Sequence, residues 1–167
     1  MDMTRTVDPT AELVNRVVAY RTSKCLYAVT ALDIPTLLQE GPATVEKLAH
    51  ATGTRADLLD RVMSHLAAEG VFDTGPDGEY RATRMSARLA RNEPGNIANW
   101  VLCELQDGYW RSWDGLLDQL RTGRTAFDTV HGQTFFSWLA GSPETSALFD
   151  ATMRDGTRHV AASLAAE

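Results

Sequence analysis

TVEKLAHATGTRADLLDRVMSHLAAEGVFDTGPDGEYRAT, residues 44–83, is the stretch whose reading decides the fold of this chain. Thr44 is placed to cap a first helix, with Glu46 near the positive end of its dipole. Val45, Leu48 and Ala49 give that helix an apolar side, and Gly53 suits the left-handed residue after its end. Thr54 then caps a second helix, and Asp57, three residues on, makes a variant capping box. Leu58, Leu59, Val62, Met63 and Leu66 recur at helical spacing until Gly70 stops the run. Val71-Phe72 and Tyr80 to Thr83 read as short strands around the turn-forming Pro76-Asp77-Gly78.

Helix, turn, helix, hairpin is the order of a winged helix, a shape often used to read DNA. Charge argues against that use here. Residues 44–83 hold four basic side chains, Lys47, Arg55, Arg61 and Arg81, against seven acidic ones. The second helix, which would enter the major groove, carries Asp57, Asp60 and Glu69 beside its two arginines. A DNA reader neutralises phosphates with a basic footprint, whereas this field repels them. No nucleic-acid partner is expected.

The rest of the composition agrees with an ordinary soluble globule. The chain has 167 residues, 44 % of them hydrophobic and 23 % charged, with a formal net charge of −6. No apolar run approaches the roughly 18 residues of a membrane span, and MDMTRTVDPT has no signal-peptide character. Cys25 and Cys103 stand far apart in apolar helical contexts, fit no metal-ligand spacing, and read as reduced thiols of a cytoplasmic protein. A membrane partner and a metal are not expected.

Outward from the central stretch, Met1 to Asp8 reads as a loose arm, and Asp8-Pro9 opens a helix. Leu13, Val14, Val17 and Val18, then Cys25, Leu26, Val29 and Leu32, mark one or two amphipathic helices joined near residues 20–23. These helices can pack on their own core or cover a second copy. For the first helix the second use is preferred, because its valines have no obvious local partner. Thr36 to Glu40 reads as a short helix, and Ser86 as the cap of another through Ala90.

Beyond Gly95 the composition changes, with all four tryptophans at or after position 100. Ile97, Trp100, Val101 and Leu105 form one helix face; Tyr109, Trp113, Leu116, Leu117 and Leu120 form another, ending near Gly123. Phe127 follows in an irregular stretch, and Phe135, Phe136, Trp138 and Leu139 sit on a short helix stopped by Gly141. Ser142-Pro143-Glu144 restarts a helix that carries Phe149 and Met153 on one face, and Thr157 to Ala166 reads as a last helix. The chain is thus mainly α with a small β-hairpin.

Catalytic constellations are missing. No Gly-rich nucleotide loop follows a strand, and neither CxxC, HExxH nor GxSxG occurs. His50 and His65 read as surface or half-buried residues and His159 lies on a helix near the end of the chain, while His131, between Phe127 and Phe135, is the one histidine in an aromatic setting and a candidate ligand contact. Asp107, Asp114 and Asp118 read as a solvated helix face.

Taken together these motifs resemble the N-terminal region of bacterial S-adenosylmethionine-dependent small-molecule O-methyltransferases that tailor aromatic natural products such as anthracyclines. The resemblance is carried by Ala31 to Asp73, the wing Asp77 to Thr83, WDGLLDQLRTGRTAFD (Trp113 to Asp128) and FFSWLAGSPETSALFDATM (Phe135 to Met153). It implies a homodimer joined by N-terminal helices, with Leu13, Val14, Val17 and Val18 in the interface. It divides the chain into dimerisation helices (1–35), a winged-helix-like unit (36–92) and a helical roof over the substrate pocket (93–167).

By the same resemblance Trp100, Cys103, Tyr109, Trp113, Phe127, Phe136, Phe149 and Met153 match positions that line a pocket for a small aromatic substrate. Each has a plainer reading as core packing. Phe149, Met153 and Thr157 repeat a spacing of four that approaches both donor and acceptor, which makes Met153 and Thr157 peripheral cofactor contacts. The family's Rossmann-like donor domain and its general-base histidine have no counterpart in these residues, so no catalytic residue is assigned. S-adenosylmethionine belongs to the complete enzyme and is not expected to bind this chain alone. The alternative reading is a free-standing dimeric ligand-binding or scaffold protein that works with a separate partner or without a methyl donor.

Overall fold

The computed structural model describes the backbone of residues 8–164 and the side chains of residues 8–156. Helix α1 (Pro9–Val18) is capped by the Asp8 carboxylate, which accepts from the Thr10 amide, and α2 (Tyr20–Ala31) follows after the single residue Ala19. The loose arm expected for Met1 to Asp8 lies, except for Asp8 itself, outside the described residues. A short helix α3 (Ile34–Leu37) runs into a 3-10 turn, Leu38–Glu40.

The central stretch folds in the order expected. Helix α4 (Val45–Thr52) starts on Thr44, whose hydroxyl accepts from the Lys47 amide, and ends at Gly53 with φ of 66°. Helix α5 (Ala56–Ala68) then leads into β1 (Phe72–Thr74) and β2 (Tyr80–Ala82), paired antiparallel in the register Phe72 to Ala82 and Thr74 to Tyr80. The turn between them closes through the Gly78 amide on the Gly75 carbonyl, with Gly78 at φ of 76°. Tyr80 ties the hairpin down. Its hydroxyl donates to Asp60 Oδ1 at 2.8 Å and lies 3.0 Å from Ser64 Oγ, both on α5.

Two expected caps are corrected. Thr54 does not cap α5: its hydroxyl meets the Thr52 hydroxyl at 2.9 Å, and Arg55 occupies the cap position with no side-chain cap bond. Asp57 pairs instead with Arg55 at 2.8 Å. Ser86 likewise is no cap. Thr83 is, and Ser86 is the third residue of α6 (Arg84–Ala87), returning a hydrogen bond to the Thr83 amide in a reciprocal box. Thr83 wins because its hydroxyl also donates to the Val71 carbonyl, fixing it beside the hairpin.

The main core lies among α2 to α5 and the hairpin, where Val29, Ile34, Leu48, Met63, Leu66 and Phe72 are the largest fully buried apolar side chains. Helix α2 packs on α5 and also on α7 (Ala98–Leu105), so it joins the central unit to the later helices. Past α7 the single helix face expected from Tyr109 to Leu120 is broken into α8 (Asp107–Ser112), a 3-10 turn (Trp113–Gly115) and α9 (Leu116–Thr122). Phe127 is not in an irregular stretch but in α10 (Ala126–His131). Helix α11 (Phe135–Ala140) follows, then α12 (Pro143–Leu164), started by Ser142, whose hydroxyl accepts from the Thr145 amide. The separate last helix expected from Thr157 is the continuation of α12. Nothing between Thr145 and Leu164 breaks it, since Gly156 alone costs only about 1 kcal/mol in a helix interior.

Candidate functional site

The site is built on the pair α7 and α12. Ala98, Val101, Leu102 and Cys103 are the buried face of α7, and α12 is locked to that helix by polar contacts. The Thr152 hydroxyl donates to the Asn99 carbonyl at 3.1 Å and to the Leu148 carbonyl one turn below, and the Asn99 amide donates to Asp155 Oδ2 at 2.9 Å. The buried Cys103 thiol lies between them, with Gln106 Nε2 at 3.7 Å and the Tyr109 hydroxyl donating to it. Burial, opposed by these donors, pushes the Cys103 thiol up, and burial beside Cys103 pushes the Tyr109 phenol well above its usual range. Both stay neutral at physiological pH.

Beyond this platform three short helices bring their rings together. Phe127 of α10 lies edge-on to Phe135 at 5.3 Å and to Trp138 at 5.5 Å, and Tyr109 of α8 meets Phe135 at 5.3 Å. Phe135 in turn touches Phe149 of α12 at 5.5 Å, which joins the cluster to the platform. These are edge-to-face separations that ring quadrupoles favour. Gly108 makes the approach possible: a β-carbon there would stand 2.2 Å from Trp138 Cζ2. Gly115 does the same for α10, where a β-carbon would meet Val130 and Ala126 at about 3 Å. His131 closes the cluster, its Nε2 donating to the Gly108 carbonyl at 2.9 Å while its ring lies on Phe127 at 4.4 Å.

The structure thus brings Cys103, Tyr109, Phe127, His131 and Phe149 into one aromatic wall and leaves the other candidates at or outside its edge. Trp100 projects from the outer face of α7, so it does not share the buried face with Val101 as its spacing suggested. Trp113, 65 % exposed, and Phe136, 74 % exposed, point outward, although Phe136 keeps an edge contact with Phe135. Met153 is half exposed on α12, and the Thr157 side chain lies outside the described residues. Sequence reasoning missed Phe135 and Trp138 as wall residues; their place in the FFSW run was the available signal, and the two glycines that admit them were the other. It also missed Lys24, whose ammonium lies 3.9 Å from the Trp110 ring centre and donates to the Leu105 carbonyl at the end of α7. Among the described residues no group of His, Cys, Asp and Glu could hold a metal ion, and no helix is long and apolar enough to cross a membrane.

At the other end of the chain Leu13, Val14 and Val17 are exposed along α1, and Val18 is half-buried. Residues 15–92, which include Val17, Val18 and the whole central unit but neither Leu13 nor Val14, match the model of the O-methyltransferase dimerisation domain. Residues 15–92 belong to the O-methyltransferase dimerisation-domain family. The likeness reaches past the dimerisation domain into the aromatic wall. The phenazine O-methyltransferase PhzM of Lysobacter antibioticus is 31 % identical over 149 residues, 89 % of this chain and 43 % of that enzyme. The crystal structure of LaPhzM superposes with a TM-score of 0.89 at 29 % identity, covering 95 % of this chain and 48 % of that one. An O-methyltransferase of neocarzinostatin biosynthesis, NcsB1, solved with S-adenosylmethionine and 2-hydroxy-5-methyl naphthoic acid, superposes at 0.71 with 26 % identity over 83 % of this chain and 43 % of that one. The chain spans less than half the length of these relatives.

Proposed function

We propose that this chain is the dimerisation and substrate-binding region of an S-adenosylmethionine-dependent O-methyltransferase whose acceptor is a planar hydroxylated aromatic metabolite. Three parts divide the work: residues 1–35 pair the subunits, 36–92 form the winged-helix-like body, and 93–167 roof the acceptor. The observation that carries the reading is the continuous ring wall from Tyr109 through Phe135 to Phe149, which ends at Phe136 and Met153 exposed to solvent. An apolar edge of this kind on a wall of edge-packed rings fits one face of a flat aromatic molecule. A cytoplasmic enzyme of secondary metabolism, working as a homodimer, fits the relatives and the dimerisation domain.

The methyl donor would supply an electrophilic carbon that an acceptor oxygen attacks in line. These residues do not fit that donor. Among the described residues the one sheet has two antiparallel strands, and no Gly-rich turn leads from a strand to a helix N-terminus that could take an adenosine or a charged tail. The wall instead contributes position and dryness. It holds the acceptor ring flat and keeps water from the hydroxyl, and orientation of this kind supplies much of the rate of a bimolecular transfer. Met153, half exposed on α12, would be a peripheral donor contact in the complete enzyme.

Titration of the chain with 2-hydroxynaphthoates and with S-adenosylmethionine tests the reading. Saturable quenching of tryptophan fluorescence by the aromatic acid, weakened about tenfold or more in Phe149→Ala, is expected, with no heat from the donor. Uptake of the donor by these residues, or acceptor binding that Phe149→Ala leaves unchanged, sinks it.

A further inference from the structure

Helix α7 ends at Leu105, and Gln106, with ψ of 159°, turns the chain before α8 starts at Asp107. The corner is poorly fastened from within. Gln106 makes no side-chain cap bond to α8, and the last carbonyls of a helix have no donor of their own. Lys24 of α2 fastens it from outside. Its ammonium donates to the Leu105 carbonyl at 3.0 Å and lies 3.9 Å from the centre of the Trp110 ring, so one group holds the end of α7 and a ring of α8. The Tyr27 ring, one turn along α2, stands 5.6 Å from the same nitrogen.

Lys24 is half-buried and pairs with no carboxylate among the described residues. A lysine placed for solubility keeps its ammonium in water, and an apolar side chain would fill this space without giving up hydration. What a cation adds here is direction, since a carbonyl lone pair and a ring face each fix where it points. What it directs is the wall. Successive residues of a helix stand about 100° apart, so the turn of α8 that presents Trp110 to Lys24 also sets Gly108 and Tyr109 before it. The Tyr109 ring meets Phe135 at 5.3 Å, the Gly108 carbonyl accepts from His131, and the missing Gly108 side chain leaves the space that Trp138 fills. A rotation of α8 away from Lys24 would disturb all three together.

We infer that Lys24 is a positioning residue for the aromatic acceptor: by holding the Leu105 carbonyl and the Trp110 ring it sets the rotation of α8, and with it the wall at Tyr109. The inference rests on the substrate-binding reading above and adds a residue outside the wall that governs it. Lys24 belongs to the segment matched to the dimerisation domain and acts on the acceptor only through α8.

The test is calorimetric titration of the full chain with 2-hydroxy-1-naphthoate, beside near-ultraviolet circular dichroism and urea denaturation. It compares the wild type with Lys24→Met, Lys24→Arg, Trp110→Leu and the double variant Lys24→Met/Trp110→Leu. Methionine keeps an unbranched stem and removes the donor and the charge. With about a tenth of the chains left in the native rotation of α8, the apparent dissociation constant rises about tenfold, which is the expected result. The near-ultraviolet signal that Trp110→Leu removes should change in Lys24→Met while the urea midpoint holds, because an apolar replacement of a half-buried cation is close to neutral for stability. Lys24→Arg, which keeps a cation over the ring, should recover most of the affinity. Losses in the double variant should fall short of the sum of the single ones. Unchanged acceptor binding in Lys24→Met, or losses that simply add, overturns the inference and leaves the reading of the wall intact. A loss that comes with a lower urea midpoint and is not recovered by Lys24→Arg makes Lys24 a support of the fold and overturns it as well. A wild type that takes up no naphthoate removes the reading and the inference together.

Discussion

Gly108 lacks a side chain because the indole of Trp138 fills that space. An added methyl would overlap Trp138 Cζ2 at 2.2 Å, and the indole is hemmed in by Phe127 and Tyr109, so it cannot swing clear. Alanine is the better helix former by about 1 kcal/mol, yet overpacking costs about 1–3 kcal/mol, and the second effect dominates. Gly108→Ala should lower stability by about 1–2 kcal/mol in urea denaturation and alter the tryptophan emission of the native state. Cys103 gives a second residue-scale expectation. Burial raises its thiol pKa in the fold, so its contribution to stability is complete below the ordinary value of 9.0 and falls away as pH rises beyond it, because only the unfolded chain then releases the proton. Tyr109 and Tyr80 extend the decline above 10.0 in the same direction. The melting temperature should therefore drop between pH 9 and 11, and Cys103→Ala should flatten the first part of that drop.

At the scale of elements, the hairpin is held by bonds that reach outside it. Two strands of three residues are marginal alone. The Thr83 hydroxyl, which caps α6 and donates to the Val71 carbonyl, and the Tyr80 hydroxyl on Asp60 and Ser64 of α5 fasten it to helices. Thr83→Ala removes the cap and leaves the Val71 carbonyl without its donor. A loss of about 1–2 kcal/mol is expected, read as a lower urea midpoint with an unchanged slope. Thr83→Ser, which keeps the hydroxyl, should recover most of it. The short helices α8, α10 and α11 are a different case. Each has six residues, too few to be stable in isolation, and the ring contacts across them, with the His131 bond to the Gly108 carbonyl, hold their angles.

For the whole molecule, the decisive quantity is how much apolar surface one chain leaves outside its core. An exposed α1 face in a protein of net charge −6 points to pairing with a copy of the same chain and away from nucleic acid. The folded dimer is then stabilised by mass action. Raising the chain concentration a hundredfold should raise the melting temperature measurably, and removal of residues 1–18 should abolish that dependence. Duplex DNA should give no electrophoretic shift even at low salt.

The sequence by itself determined the mainly helical fold, the hairpin and the family. Those features depend on neighbours: Thr44 lies three residues from the amide it caps, Gly53 and Gly78 supply left-handed turns, and Leu59, Met63 and Leu66 repeat on one face. It also placed Tyr109, Phe127, His131 and Phe149 as candidates, since an aromatic residue announces itself wherever it stands. Only the tertiary structure decided which rings meet. Trp100 and Phe136 turn outward while Phe135 and Trp138 turn in, because helices of one or two turns take their direction from Gly108, Gly115 and the rings beyond them. Choosing between Thr54 and Arg55, or Ser86 and Thr83, was likewise beyond reach of spacing, since the Thr54 hydroxyl is turned to Thr52 and the Thr83 hydroxyl is fixed by the Val71 carbonyl. Local chemistry fixes what a segment is; the contacts made by distant residues fix which way it faces.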